Sequence, residues 1–335
     1  MNDTQNFDYT EAFKINRGLF SEEEQLRLRD AKILVVGTGG AGGVISVMLA
    51  RSGVENFTLV DPDEYTLSNI NRQIGCFVDT IGRNKAEVIK EEILRINPLA
   101  KVEVYKKIVP LEELEEMLKQ ADVYFSEADD LAYSTCSLIL AQELKIMSIS
   151  YMPMGMAGYV MVLPPSLPHI YDPTDMFGGP KNLPYDELKS FQHNPVNRSG
   201  RRWHITEGKM RVEWFRKWCK GEAPLTQLCP AVWIGNGLAT IEAIKYITGK
   251  WENVRAPKMW HIDLANNRIK VAKFRRRTWF FCKYIYWAVN IKWLGIGDKI
   301  RQMSLKTMDK ELSKMAREEE QGKEVRLPFS WKHLI

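Results

Sequence analysis

The stretch ILVVGTGGAGGVISVMLARSG, residues 33–53, decides the fold. Aliphatic residues stop at Gly37, Gly39, Gly40, Gly42 and Gly43, and a run of small and apolar residues follows. This is a strand, a glycine turn and a helix. Glycines let the backbone turn sharply and approach a phosphate, and the helix N-terminus behind them stabilises negative charge. Asp61 closes the next apolar run, NFTLV. An acid at the end of that second strand accepts ribose hydroxyls. Gly37, Gly39, Gly40, Gly42 and Asp61 are therefore candidate nucleotide-binding residues. The loop alone does not say which nucleotide.

Outward from this stretch, strand and helix patterns alternate. Strands are expected at 32–36, 56–60, 102–105, 122–125 and 147–150, with helices over 41–52, 84–95, 111–119 and 132–144 between them. Alternation at these lengths predicts a parallel sheet with crossover helices. Upstream, residues 1–31 read as a polar, partly helical lead-in, with Ser21 and Glu24 forming a capping box. Residues 32–163 read as the nucleotide-binding unit. Residues 164–226, rich in Pro, Gly, Asn and aromatics, read as an irregular crossover or lid with a short helix near 209–219. Residues 227–335 complete the same domain. They hold a small-residue helix stopped by Gly249, a hairpin turned by Asn266-Asn267, and a basic, aromatic helical tail. The expected fold is α/β: a Rossmann-like, doubly wound, mainly parallel sheet, a C-terminal antiparallel hairpin and peripheral helices.

Composition narrows the class. The chain is 45% hydrophobic and 27% charged, as in globular proteins, and its net charge of +5 suits a nucleotide or an acidic peptide without arguing for nucleic acid. The five cysteines are widely spaced with no CxxC pair, which points to a reducing cytoplasm and to no zinc. The N-terminus lacks the apolar run of a secretory signal. The most apolar late run, TWFFCKYIYWAV, carries Lys283 and falls short of the about 20 residues a membrane span needs.

The segment after Asp61, DPDEYTLSNINRQIGCFVDTIGRNKAEVIKEEILRINP, separates chemistries. Ser68, Asn69, Arg72 and Gln73 follow at once, and Lys85 shortly after. Arg72 is a planar, bidentate partner for phosphate oxygens and Lys85 a point charge, a pair that fits a triphosphate. The competing reading is two solvated surface charges.

Taken together, GxGGxG, D-x-D, S-N-x-x-R-Q, G-x-x-K-x-E and INP resemble the ThiF/MoeB/HesA superfamily, the adenylating fold shared with ubiquitin-activating enzymes. The resemblance covers residues 14–150 and resumes weakly at 230–249. It implies that Gly37–Gly42 and Asp61 hold ATP, and that Ser68, Asn69, Arg72 and Lys85 contact its phosphates. It also implies that Asp129 coordinates Mg2+. There SEADDLAYS departs from the family pattern D-N-F-x-x-R at Asp130, Leu131 and Ser134. Arg17, in KINRGLF, matches an arginine that reaches across the family's homodimer to the partner's triphosphate, with Gly18 replacing Gln. The implied catalytic set is Arg17, Arg72, Lys85 and Asp129. The implied reaction is formation of an acyl-adenylate from a carboxylate and ATP, with loss of pyrophosphate.

The missing zinc pairs set the chain apart from the family's usual sulfur-carrier activators. Cys229, in TQLCPAVWIG, and Cys76 read as buried structural thiols or as thioester-forming nucleophiles. The layout resembles stand-alone bacterial ThiF-like proteins, including pantocin-type enzymes that activate glutamate side chains of a precursor peptide for cyclisation and dehydration. An acidic peptide is therefore the expected substrate, and the C-terminus of a ubiquitin-like or sulfur carrier the alternative. His193, Arg198, Arg201, Arg202 and His204 are either a peptide-binding cluster or a solvated loop. The tail KFRRRTWFFCKYIYWAVNIKW is core or dimer packing, a membrane-surface helix or a peptide groove. Outside the adenylating class stand an NAD-dependent oxidoreductase and a non-catalytic peptide-binding scaffold.

Overall fold

The computed structural model describes residues 7–171, 185–186, 209–273, 297–323 and 325. One eight-stranded sheet organises them, in the order β3-β2-β1-β4-β5-β6-β7-β8. The strands are β1 Lys32–Val36, β2 Asn56–Val60, β3 Lys101–Tyr105, β4 Val123–Ser126, β5 Met147–Met154, β6 Ala157–Leu163, β7 Lys258–Asp263 and β8 Arg268–Lys273. The five strands from β3 to β5 pair in parallel. From β5 onward the pairing is antiparallel. The Rossmann-like, doubly wound sheet with its antiparallel C-terminal extension is thus present.

Alternation along the central strands builds two cores. Ile33 and Val35 face one side of the sheet, Leu34 and Val36 the other, as the two-residue strand period requires. On the first side lie helices α3 (Gly42–Arg51), α4 (Lys85–Ile96) and α8 (Cys229–Thr248). They contribute Ile45, Leu49, Ile89, Ile93, Ala239 and Ala243. On the second side lie α5 (Leu111–Leu118) and α6 (Leu131–Glu143), through Leu114, Leu118 and Leu138. The lead-in carries α1 (Tyr9–Ala12) and α2 (Glu22–Asp30), the latter with the expected Ser21–Glu24 capping box. A third cluster covers the antiparallel end. There α7 (Val212–Lys220) meets α9 (Gly297–Glu320), and Arg216 Nε donates to Asp309 Oδ1 at 2.6 Å.

Several elements differ from expectation in extent. β5 runs on to Met154 past Pro153: Tyr151 N–H points away from β6, to Glu127 Oε1, so two residues on the proline lacks an N–H on that same side, beyond the last residue paired with β4, and the pairing with β6 is unharmed. α8 begins at Cys229, with Pro230 in its first turn, where a missing N–H costs nothing. The hairpin is closed not by Asn266-Asn267 alone but by four residues, Leu264–Asn267. Leu264 N–H is drawn to Met156 O, Asp263 accepts from Asn266 Nδ2, and Asn267 takes the left-handed conformation at φ 54°. The cluster at 193–204 and the tail over 274–296 lie outside the described residues. Among the described residues no helix is long and apolar enough to cross a membrane.

Glu242 joins three elements. Its carboxylate is fully buried and accepts from Lys245 Nζ, Asn253 Nδ2, the Val254 N–H and Trp260 Nε1, at 2.7 to 3.0 Å. It ties α8 to the loop after it and to β7. Truncation strands four donors at once. Glu242→Ala is expected to lower the unfolding free energy by about 3 kcal/mol or more in urea titration, with Glu242→Gln losing less. Equal midpoints for Glu242→Ala and the native chain would remove this role.

Candidate active site

The candidate residues gather where the sheet's chain order reverses. β1 lies between β2 and β4, and the carboxyl ends of strands at such a reversal are where open α/β sheets carry their ligand crevice. Gly37 leaves β1 at φ 91°, its N–H donating to Val60 O at 2.8 Å. A Cβ there would stand 2.5 Å from Glu127 O, so only glycine fits. Gly42 allows α3 to start against the loop, because a Cβ would meet Gly37 O at 2.0 Å. Gly39 and Gly40 serve otherwise. Their nearest neighbours, Gln73, Arg72 and Gln227, stand 3.5 to 3.6 Å from an added Cβ, so these two glycines keep backbone open toward the crevice.

Asp61 anchors the loop from below. It is buried, and its Oδ2 accepts from Thr38 N at 2.7 Å and from Thr38 Oγ1 at 3.2 Å, while Oδ1 accepts from Asp63 N at 2.9 Å. Burial pushes its carboxyl above the usual range, against the pull of the Asp63 N–H and the Lys85 ammonium. Part of this acid's hydrogen-bonding capacity is therefore spent on loop shape. Lys85 opens α4 and is buried except near its tip, where Nζ donates to Asp63 Oδ2 at 2.9 Å. Asp63 was visible as the second acid of D-x-D, but the sequence reading gave it no role.

Arg72 lies beside Gly40. Its Nη1 donates to Ser68 O at 3.1 Å and Asn71 Oδ1 at 2.9 Å. Burial lowers the guanidinium pKa, and the charge of Asp129 pulls it back up. Asn69 Oδ1 caps its own turn by accepting from Thr66 N, and the exposed Ser68 hydroxyl sits beside that of Thr66. Gln73 is buried against Gly39. Three buried atoms here lack a partner: Arg72 Nε, Gln73 Oε1 and Asn236 Oδ1. All three side chains border Gly39 and Gly40. Unpaired buried polar atoms are costly: Arg72 Nε is a donor and fits an anionic ligand such as a nucleotide phosphate, whereas the amide oxygens of Gln73 and Asn236 accept and call for a donor such as water or an N–H or O–H group of a ligand.

Asp129 follows β4 and is exposed, while Asp130 caps α6, accepting from Ala132 N at 2.9 Å and Tyr133 N at 3.1 Å. Asparagine and aspartate cap equally well, which explains why Asp130 can stand where the family pattern has Asn. Ser134, in the arginine's place, is buried and shares a hydroxyl network with Ser126 and Ser137. Glu127, unmarked in the sequence reading, accepts from Tyr151 N at 2.9 Å, and burial pushes its carboxyl well above the usual range. Mg2+ takes one or two carboxylates plus substrate phosphates, so a single exposed carboxylate within electrostatic reach of Arg72 fits such an ion without a preformed cage.

Arg17 is not brought to this site within one chain. Its short helix, Lys14–Gly18, is held by Asn16 Nδ2 on Ser52 O, at the opposite end of the 10-residue α3 from the glycine loop. That helix spans about 15 Å. Cys229 is half-buried at the start of α8, whereas Cys76 is buried and its thiol pKa is raised by burial.

Comparison with known proteins gives this geometry its relatives. The sequence model of the ThiF family matches residues 13–279. The tRNA threonylcarbamoyladenosine dehydratase of Haemophilus influenzae is 36% identical over 121 residues, 36% of this chain and 46% of that protein. The sulfur carrier protein ThiS adenylyltransferase of Escherichia coli is 30% identical over 141 residues, 42% of this chain and 56% of that protein. The matched stretch thus spans about half the length of these curated relatives. Among solved structures, E. coli MccB with AMPCPP and MccA superposes with a TM-score of 0.61 at 20% identity, covering 81% of this chain and 73% of that one. PaaA superposes with a TM-score of 0.58 at 20% identity, covering 82% and 76%. With four-fifths of its length matched and the fold shared, this chain belongs to the ThiF family.

Proposed function

We propose that the protein adenylates a carboxylate with ATP, releasing pyrophosphate. One observation carries the reading: Arg72 stands beside Gly40 with its buried Nε–H unpaired, and Lys85 lies within electrostatic reach of Asp61, the acid that holds the glycine loop. A dinucleotide's pyrophosphate has no need of two further cations, so the pair supports a triphosphate over an NAD-dependent oxidoreductase. In the reaction a carboxylate oxygen attacks the α-phosphorus. The bond to the oxygen bridging to the β-phosphorus breaks, and the electron pair leaves with pyrophosphate. The carboxylate is already ionised at pH 7, so no strong base is required. Arg72 and Lys85 neutralise the charge that accumulates on the leaving phosphates, and Gly39–Gly40 orient them. Asp129 would hold Mg2+, which supplies further charge neutralisation. A second copy of the chain would supply Arg17.

The substrate is proposed to be an acidic precursor peptide, activated at glutamate side chains for cyclisation or dehydration. The absence of CxxC pairs from the sequence and the fold shared with PaaA and MccB, the latter solved with MccA, support this over a carrier C-terminus. The test is ATP–pyrophosphate exchange with three candidates: glutamate-rich peptides, a carrier ending in Gly-Gly, and tRNA bearing a threonylcarbamoyl carboxylate. Exchange with peptides alone is expected. Background exchange with all three, together with no ATP binding, would overturn adenylation. Exchange confined to the carrier or the tRNA would overturn the peptide assignment only.

A further inference from the structure

The short stretch 227–236, ending in the first turns of α8, is tied to both phosphate-facing segments. Trp233 Nε1 donates to Arg72 O at 3.0 Å. Three residues on, and so on the same helix face, Asn236 Nδ2 donates to Gly40 O at 2.9 Å. Ahead of the helix, Gln227 O accepts from Asn71 Nδ2 at 3.1 Å, and Asn71 Oδ1 in turn accepts from Arg72 Nη1 at 2.9 Å. The stretch is itself anchored, because Gly155 N–H, in the β5–β6 turn, donates to Thr226 O at 2.7 Å. Arg72 is thereby fixed at its carbonyl by an indole and at its guanidinium by a carboxamide. Its Nε stays buried and unpaired, aligned with Gly40.

We infer that residues 227–236, together with Asn71, form a brace that holds Arg72 and the glycine loop in the geometry the β- and γ-phosphates need, with Trp233, Asn236 and Asn71 as its positioning residues. This rests on the ATP-site reading above. A free arginine side chain loses about 2 kcal/mol of rotamer entropy on ordering. A brace that orders it before the nucleotide arrives removes that cost from binding. Asn236 acts on the other wall: its carboxamide holds the Gly40 carbonyl and with it the course of the loop. An apolar helix carrying one tryptophan and one asparagine at this spacing would otherwise have no reason to bury an asparagine completely.

The consequence is selective for the outer phosphates, which distinguishes a brace from a packing contact. The experiment is titration of the full-length protein with ATP and with AMP by calorimetry. Trp233→Phe, which keeps the ring but removes the donor, is expected to weaken ATP about five- to tenfold, as one well-placed hydrogen bond allows, and AMP less than about twofold. In an Arg72→Ala background the same change is expected to cost ATP nothing further, because the tie then has no guanidinium to position. Asn71→Ala, at an exposed position, is the second variant and should show the same ATP-selective loss even if Trp233→Phe fails to fold. Equal weakening of both nucleotides, full additivity with Arg72→Ala, or unchanged ATP affinity in both variants would overturn the brace. Native protein that binds no ATP would overturn the underlying site reading as well, so the two failures are distinguishable.

Discussion

Asp129→Ala is expected to cut Mg2+-dependent ATP–pyrophosphate exchange by roughly three orders of magnitude, the several kcal/mol that a Lewis acid contributes at a phosphoryl centre. Its stability should match that of the native chain. Asp129 is exposed and accepts no hydrogen bond from the described residues, whereas its neighbour Asp130 caps α6 through two backbone N–H groups. The adjacent acids therefore separate function from structure. Asp130→Ala should lower the unfolding free energy by about 1 kcal/mol. Asp129→Ala should leave the urea midpoint unchanged while raising the Mg2+ concentration for half-maximal exchange. Two measurements check this: exchange rate against Mg2+ concentration, and urea unfolding. Full exchange activity in Asp129→Ala would withdraw the metal role from this acid. The carboxylate of Glu127, two residues earlier and facing Tyr151, would then be the acid to test.

Elements whose burial is decided locally were legible in the sequence. β1 and β2 are short aliphatic runs bounded by a charge or an amide and by Gly37 or Asp61, and their observed limits coincide with the expected ones. The glycine loop was readable because Gly37 and Gly42 answer to backbone contacts close in sequence or across one strand. Residues acting across long sequence separations were not readable. Trp233 and Asn236 sit in a helix whose pattern announces only packing, and their partners Arg72 and Gly40 are distant in the chain. Gln227 contributes a backbone carbonyl, which no residue type can signal. Asp61 looked like a ribose ligand pure and simple, yet it also spends one oxygen on the loop that would hold the nucleotide and the other on the turn after β2. Arg17 shows the opposite limit. Its motif stood out in the sequence, but one chain cannot carry it past the length of α3.

Arg72→Ala is expected to reduce pyrophosphate exchange by about 10²–10³-fold, the usual cost of removing one preorganised donor from developing charge. ATP affinity should fall and AMP affinity should not. Arg72→Lys is expected to recover only a small part of the loss. An ammonium keeps the charge, but it lacks the planar fork that pairs Nη1 with Asn71 Oδ1 and leaves Nε for the phosphates. Burial already strains the Arg72 cation, as its lowered pKa records, so the site holds this charge at a cost that a bound polyanion would offset. The same variant tests where Arg17 acts. If a second copy supplies Arg17, an Arg72→Ala subunit with an intact Arg17 completes the site of an Arg17→Ala subunit with an intact Arg72. Mixing the two inactive variants under conditions of subunit exchange should restore exchange to a substantial fraction of native activity. Activity that stays at the level of the separate variants would overturn the assignment of Arg17 to a second copy's site. Arg72→Ala at native activity would remove the triphosphate reading itself, since Lys85, already bonded to Asp63, would be the one cation left to the phosphates among the described residues assigned to this site.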